Sequence, residues 1–256
     1  MINIQDIIKE YSKPQQTFKR RILREYFQYK ILNLVYQSKY SNRLIFLGGT
    51  ALKIIYGNPR FSEDLDFDNL GISRNDFNLL TSSIKKGLEK EGYKIEVRNI
   101  FKGAFRCYLK ILEILFEFKL TTHESEKVLI QLDTAPHKFS YMPKDHLIQK
   151  FEVYRWIKVV PIDIILAQKI ATILERKRTK GRDFFDIVFL YSKTKPNYQY
   201  LDSKLGIKNK DQLKKTLIKT ARELDFRALA KDVEPFLFDP SQKDRVLYFE
   251  KFIKQL

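Results

Sequence analysis

The sequence predicts an α/β (α+β) fold, a mixed sheet flanked by helices and followed by a helical carboxy-terminal half. Three observations carry this reading. A short apolar run, Leu44-Ile45-Phe46-Leu47, ends on Gly48-Gly49, as a buried strand entering a tight turn does. Between Tyr93 and Asp133 several segments alternate apolar and polar residues at the two-residue period of a strand. Beyond Pro161 the apolar residues recur at helical spacing. The boundary is placed accordingly, with residues 1–160 as the α/β domain and 161–256 as the helical one.

Taken in order, residues 1–13 read as a short helix with Ile4, Ile7 and Ile8 on one side. Pro14 suits the start of a longer helix running to about Tyr40, striped by Phe18, Ile22, Tyr26, Tyr29 and Tyr36. Lys19, Arg20, Arg21 and Arg24 cluster at its front, either to meet nucleic-acid phosphates or to form a solvated face. After the strand at Leu44, Thr50 is expected to cap a short helix through Ile55, which Gly57-Asn58-Pro59 stops. A second strand is expected from Phe61 to Phe67. Ser73 then caps a helix in which Phe77, Leu80, Ile84 and Leu88 align, closed by Gly92.

Strands follow at 93–101 and 104–112 around a Lys102-Gly103 turn. In the second, Phe105, Cys107, Leu109 and Ile111 face one way and Arg106, Tyr108 and Lys110 the other. The apolar run 114–120 would prolong that strand. The next strand spans Lys127 to Asp133, and another is expected at Trp156 to Val160. Pro161 opens a helix striped by Ile162, Ile165, Leu166, Ile170 and Ile173, and a further helix starts at Arg182. Lys210 to Leu224 reads as a strongly basic helix, Pro235 and Pro240 bracket a short apolar turn, and Gln242 to Leu256 reads as a final helix.

The chemistry concentrates in the stretch Leu44 to Asp68. Along the second strand Asp64 and Asp66 project to one side while Leu65 and Phe67 pack on the other. Carboxylates this close repel unless a cation lies between them. An oxygen-only pair suits Mg²⁺, which keeps waters and substrate phosphates in its shell. Gly48 and Gly49 leave backbone N–H groups exposed beside a helix start, where a phosphate can rest. Asp133, an acid ending an apolar strand, is either a turn residue or a third functional carboxylate, with Glu117 the runner-up. Lys169 falls in line with the apolar stripe of its helix, a costly place for an ammonium unless it snorkels out or meets an anion. On the next helix Arg182, Asp183 and Asp186 share one side, suggesting a lined cleft.

Gly48-Gly49-Thr50, a short helix, then Ser62-x-Asp64-x-Asp66 resembles the core motif of the nucleotidyltransferase-fold superfamily. The fuller wording, GGTALKIIYG followed by RFSEDLDF, resembles the AbiEii/AbiGii-type toxins of toxin–antitoxin and abortive-infection systems. The later run Arg178-Thr-Lys180-Gly-Arg182-Asp183-Phe-Phe-Asp186 resembles that family's R-x-K-x-R-D-x-x-D motif, and Ala167-Gln168-Lys169 resembles the A-x-K run before it. The resemblance covers most of residues 40–190. It implies a nucleotidyltransferase-like fold whose helical domain completes the active site. Asp64 and Asp66 would hold Mg²⁺, with Asp133 as third ligand or general base. Gly48, Gly49, Thr50 and Ser62 would cradle the phosphates of an NTP, with Arg182 nearby. Lys169 would contact those phosphates, and one of Asp183 and Asp186 would be essential. The acceptor would be RNA, the tRNA 3′ end in particular, with translation blocked as the result, and a cognate antitoxin protein would be encoded alongside. The same core chemistry is compatible with a protein or small-molecule hydroxyl as acceptor, and a non-catalytic RNA-binding module is the rival from another class.

Composition fits a polyanionic partner. Lys plus Arg number 48 against 31 Asp plus Glu, a formal net charge of +17. Cys107 is the one cysteine, which excludes an intrachain disulfide and a Cys-based zinc site. His123, His137 and His146 lack metal-ligand spacing and read as surface loop residues. No stretch approaches a membrane span and the amino terminus lacks an apolar signal region, so a cytoplasmic protein without a membrane partner is expected.

Overall fold

The computed structural model describes residues 2–256, which divide into two compact units. The first comprises residues up to 55, 62–138 and 143–159; the second comprises 56–61, 139–142 and 160–256.

In the first unit α1 (Ile4–Lys9) and α2 (Lys19–Gln37) lead into β1 (Leu44–Leu47), α3 (Gly48–Tyr56), β2 (Leu65–Asn69) and α4 (Arg74–Lys90). There follow β3 (Ile95–Lys102), β4 (Ala104–Ile111), α5 (Ile114–Glu117), β5 (Val128–Pro136), β6 (Lys144–Lys150) and β7 (Val153–Val159). The strands form one seven-stranded mixed sheet in the order β3-β4-β5-β2-β1-β7-β6. β2 runs antiparallel to β1 and parallel to β5, and β1 runs parallel to β7. The mixed sheet with flanking helices is the predicted architecture.

Register sorts the sheet into two faces. Phe46 pairs with Phe67, Phe67 with Thr134, and Thr134 with Phe105, so these four share one face. Helix α4 covers that face: Phe77 meets the rings of Phe101 and Phe105 at 6.0 and 5.7 Å. The α4 helix forms as predicted. Ser73 accepts from the Asp76 N–H at 3.0 Å, and Phe77, Leu80, Thr81, Ile84 and Leu88 bury one stripe. The opposite face carries Asp66, Asp133 and Arg106 in one line across three strands.

Several boundaries differ from those read in the sequence. Pro14 precedes a 3₁₀ turn, Gln15–Thr17; Phe18 at φ −88°, ψ 43° breaks it from α2, which starts at Lys19. The run after β4 does not extend the strand. Glu113 takes φ +59° and turns the chain into α5, which carries Glu117 exposed and off the sheet. β2 begins at Leu65, not Phe61. β6 and β7 form a hairpin of which only the end of β7 was predicted; a short apolar run flanked by charges gives weak periodicity. His146 therefore lies in a strand, partly buried, with its pKa lowered by that burial.

The second unit holds α6 (Ile162–Glu175), α7 (Gly181–Tyr191), α8 (Tyr198–Leu205), α9 (Lys210–Ala221), α10 (Phe226–Val233), α11 (Asp244–Leu247) and α12 (Phe249–Gln255). The single carboxy-terminal helix predicted from Gln242 is two, broken at Tyr248 with φ −100°, ψ 21°. α8 and α10 were not predicted. Phe184 on α7 meets Phe226 and Phe249 edge-on at 5.4 and 4.9 Å.

Gly181 opens α7 directly against α10. A Cβ there would lie 1.9 Å from the Leu229 carbonyl oxygen, and the Gly181 N–H donates to Asp232 Oδ2 at 2.8 Å. Backbone against backbone cannot be relieved by a rotamer change. Gly181→Ala is therefore expected to destabilise the protein by about 1–3 kcal/mol, read as a lowered melting temperature. An unchanged melting temperature would show that α10 yields freely.

Candidate functional site

The glycine ledge lies beside Asp66. Leu47 is paired with Asp66 across β1 and β2, so the Asp66 side chain stands next to the turn that follows Leu47. Gly48 there has φ +80°, a conformation that favours glycine. A Cβ on Gly48 would lie 2.2 Å from Asp66 Oδ2. The carboxylate thus occupies the space that the missing side chain leaves. Burial alternates from Asp64 to Phe67, half-buried at the two acids and buried at Leu65 and Phe67; Asp66 lies on the sheet face opposite α4, and Asp64 immediately precedes the strand. Gly48→Ala is expected to displace the Asp66 carboxylate and reduce any activity that depends on it by about tenfold or more, measured beside a melting curve. Full activity would show that Asp66 does not need this seat.

Thr50 does not cap the helix, which already includes Gly48 and Gly49. It is fully buried, and its hydroxyl donates to the Asp64 carbonyl oxygen at 2.5 Å. That bond ties α3 to the entry of β2, leaving the Thr50 backbone, not its hydroxyl, for any phosphate. Ser62 and Glu63 are held from α2. Gln28 Nε2 donates to their two carbonyl oxygens at 3.0 and 2.9 Å, and Arg24 pairs with Glu63 at 2.6 Å. Arg20 likewise pairs with Glu126 at 2.5 Å. Arg20 and Arg24 at the front of α2 are therefore engaged within the protein.

Asp133 lies beside Asp66 in register on the parallel strand β5. Arg106 grips it in a fork, Nε to Oδ1 at 2.9 Å and Nη2 to Oδ2 at 3.2 Å, and Gln131 Nε2 donates to Oδ2 at 2.7 Å. Of about four lone-pair sites on the carboxylate, one on Oδ1 remains. Asp68, two residues beyond Asp66, is buried with His137 Nδ1 at 3.2 Å. His137 is thus no surface loop residue. Nothing in the spacing announced this pair, because β5 delivers His137 to Asp68 only through sheet pairing. Among the described residues no three His, Cys, Asp or Glu side chains assemble a metal cage. Mg²⁺ asks for none, since one or two carboxylates with water and phosphate oxygens complete its octahedron. The hard-oxygen donors Asp64 and Asp66 fit that requirement.

The later motif builds a buried chain of charge within the second unit, rather than the lined cleft expected. Lys169 Nζ bridges Asp183 Oδ1 at 2.8 Å and Asp186 Oδ2 at 2.9 Å. Arg176 pairs with Asp183 at 2.9 Å. Arg60 clasps Asp186 through Nε to Oδ1 and Nη2 to Oδ2, both at 2.6 Å, and Asn58 Nδ2 adds 2.7 Å to Oδ1. Arg60 and Asp186 are 1% and 0% exposed. Burial by itself would lower the Lys169 pKa, but Asp183 and Asp186 outweigh it and raise it. Burial would likewise push Asp186 up; Arg60 and Lys169 reverse the sign and hold it at about 2. The anion that justifies a Lys in an apolar stripe is therefore the protein's own. Arg182 lies over the Phe236 ring at 5.2 Å. Asn58, read in the sequence only as part of a helix stop, and Arg60, read there only as the first residue of RFSEDLDF, are the residues that sequence reasoning missed here.

Comparison with known proteins gives consistent findings. A family described as "Nucleotidyl transferase AbiEii toxin, Type IV TA system" matches residues 30–253. No curated protein matches. Among solved structures, JHP933 from Helicobacter pylori superposes with a TM-score of 0.56 at 19% identity, covering 92% of each chain. A candidate nucleotidyltransferase from H. pylori superposes with a TM-score of 0.58 at 20% identity, covering 91% of this chain and 94% of the other. Likeness at these identities speaks for the fold.

Proposed function

Because the chain belongs to the AbiEii nucleotidyl transferase toxin family of type IV toxin–antitoxin systems, we propose that it moves NMP from an NTP to the 3′ end of an RNA, tRNA in particular. The observation that carries this reading is the Asp66 carboxylate seated over Gly48, at a turn whose backbone N–H groups open α3. Phosphate oxygens are recognised at such a helix start. Asp64 and Asp66 would hold Mg²⁺, which when bound supplies charge neutralisation on the transferring phosphoryl group. In the reaction the acceptor hydroxyl oxygen bonds to the α-phosphorus, the bond to pyrophosphate breaks, and the hydroxyl proton leaves to a base. Asp133 Oδ1 is the proposed base; Arg106 and Gln131 orient it. Backbone groups of Gly48, Gly49 and Thr50, with Ser62, would orient the phosphates. Lys169, held by Asp183 and Asp186, is left out of the phosphate-binding set.

The RNA reading is supported by charge. On α9 and at its two ends Lys208, Lys210, Lys215, Lys219 and Arg222 are exposed, on a chain of net charge +17. Among the described residues no helix is long and apolar enough to cross a membrane. A cognate antitoxin is the partner that family membership implies. The deciding experiment incubates the protein with labelled NTP, total tRNA and Mg²⁺. Label on tRNA, abolished by EDTA, is expected. Label on protein alone would replace the RNA acceptor by a protein hydroxyl, and no label with any acceptor would favour a binding module.

A further inference from the structure

We infer that Asp186 is a positioning residue which, through Arg60 and Asn58, anchors the segment that runs into Ser62 and Asp64. An ionised carboxylate has about four lone-pair sites. Asp186 Oδ1 already accepts from Asn58 Nδ2 and Arg60 Nε, and Oδ2 accepts from Arg60 Nη2 and Lys169 Nζ. With 0% exposure and four donors, this carboxylate has no lone pair left for a metal ion or a substrate. Its partners are what it acts on.

Those partners belong to the short crossing that follows α3. Arg60 also donates from Nη1 to its neighbour's carbonyl, Phe61 O, at 2.8 Å. Its backbone makes an antiparallel bridge with Leu237, and the Phe61 N–H donates to Phe236 O at 2.7 Å. The Phe61 ring rests on Phe238 at 4.3 Å. A guanidinium forked onto a carboxylate fixes both distance and plane. Residues 58–61 are thereby rooted in α7 and in the 236–238 turn. Two residues after Phe61 the chain reaches Glu63, then the acid pair. An error in where this root lies passes along the covalent chain to Ser62 and Asp64, where displacements near 1 Å are expensive for catalysis.

The activity arm of this inference rests on the transferase reading; the structural arm does not. Asp186→Asn, Arg60→Ala and the double variant are compared by labelled transfer and by amide exchange of a peptide spanning 57–64. Both single variants are expected to lose transfer by about tenfold to a hundredfold, and the double variant to be no worse than the poorer single one. Both should speed exchange in 57–64 while peptides of β4 and β5 stay at the wild-type rate. Free guanidinium should restore part of the transfer to Arg60→Ala and none to Asp64→Ala. If Arg60→Ala fails to fold, Arg60→Lys, which keeps the charge but cannot span both oxygens, carries the comparison. Loss of transfer in Asp186→Asn with unchanged exchange in 57–64 would overturn the inference, as would losses that multiply in the double variant. Should the wild type label no acceptor, the transferase reading fails, and the exchange rates still decide the anchor.

Discussion

Asp66→Ala is expected to lower nucleotidyl transfer by at least about a hundredfold, a loss of the size seen when one electrostatic partner of a transition state is removed. Asp64→Ala should do the same. The structure separates this loss from misfolding. Asp66 is held in place by the backbone ladder to Leu47 and Asp133, and that ladder does not use its side chain. Replacing a half-buried carboxylate should cost stability only about 1 kcal/mol or less. RNA affinity, proposed above to rest on the lysines of α9, should stay salt-dependent and close to the wild type. Growth arrest should disappear together with transfer. An Asp66→Ala protein that still labels tRNA, or still arrests growth, would end the proposal that this pair holds the metal.

Asp186→Ala should be the most damaging single change to stability, lowering it by about 3–5 kcal/mol and the melting temperature by on the order of 10 °C. The reason is asymmetry in the charge chain. Removing Lys169 leaves Asp186 with Arg60 and Asn58, and leaves Asp183 with Arg176. Removing Asp186 takes away the carboxylate that Arg60 forks onto, and this guanidinium, 1% exposed, cannot shed its proton. The order of melting temperatures, with Asp186→Ala below Lys169→Ala, tests this; the reverse order would mean that Lys169, not Asp186, is the node. The wild type should show the same interaction in its acid limb. Asp186 titrates near 2 in the fold against an ordinary 3.8. Its contribution, roughly 2 kcal/mol, is present in full above about pH 5, where both states are ionised. It is lost as the pH falls from about 4 to 2, because the unfolded chain takes up its proton first. Unfolding free energies of wild type and Asp186→Asn should therefore converge over that window.

Where periodicity and glycine placement carry the information, the sequence was legible. β1, the Gly48 turn, the alternation of Asp64 to Phe67, α4 and the outward face of β4 all follow from neighbours within a few residues. The apolar run at 114–120 was misread because four to eight apolar residues suit a strand or a buried helix equally, and only the reversal at Glu113 decides. Asn58 and Arg60 were invisible as functional residues for a different reason. A Gly-Asn-Pro pattern states that the chain bends, whereas the partner of Arg60 lies 126 positions away. Gln28 and His137 share that blindness.

Local sequence alone determined that a glycine-bounded strand would be followed by a strand with Leu65 and Phe67 buried on one face and Asp66 on the other, since the alternation of side chains along extended backbone needs no distant partner. Tertiary structure decided which charges are held and by what. Arg106 holds Asp133, and Arg60 with Lys169 saturates Asp186. Such choices depend on segments far apart in the chain meeting where water is excluded, and there a charge must find its counter-ion or not be buried at all.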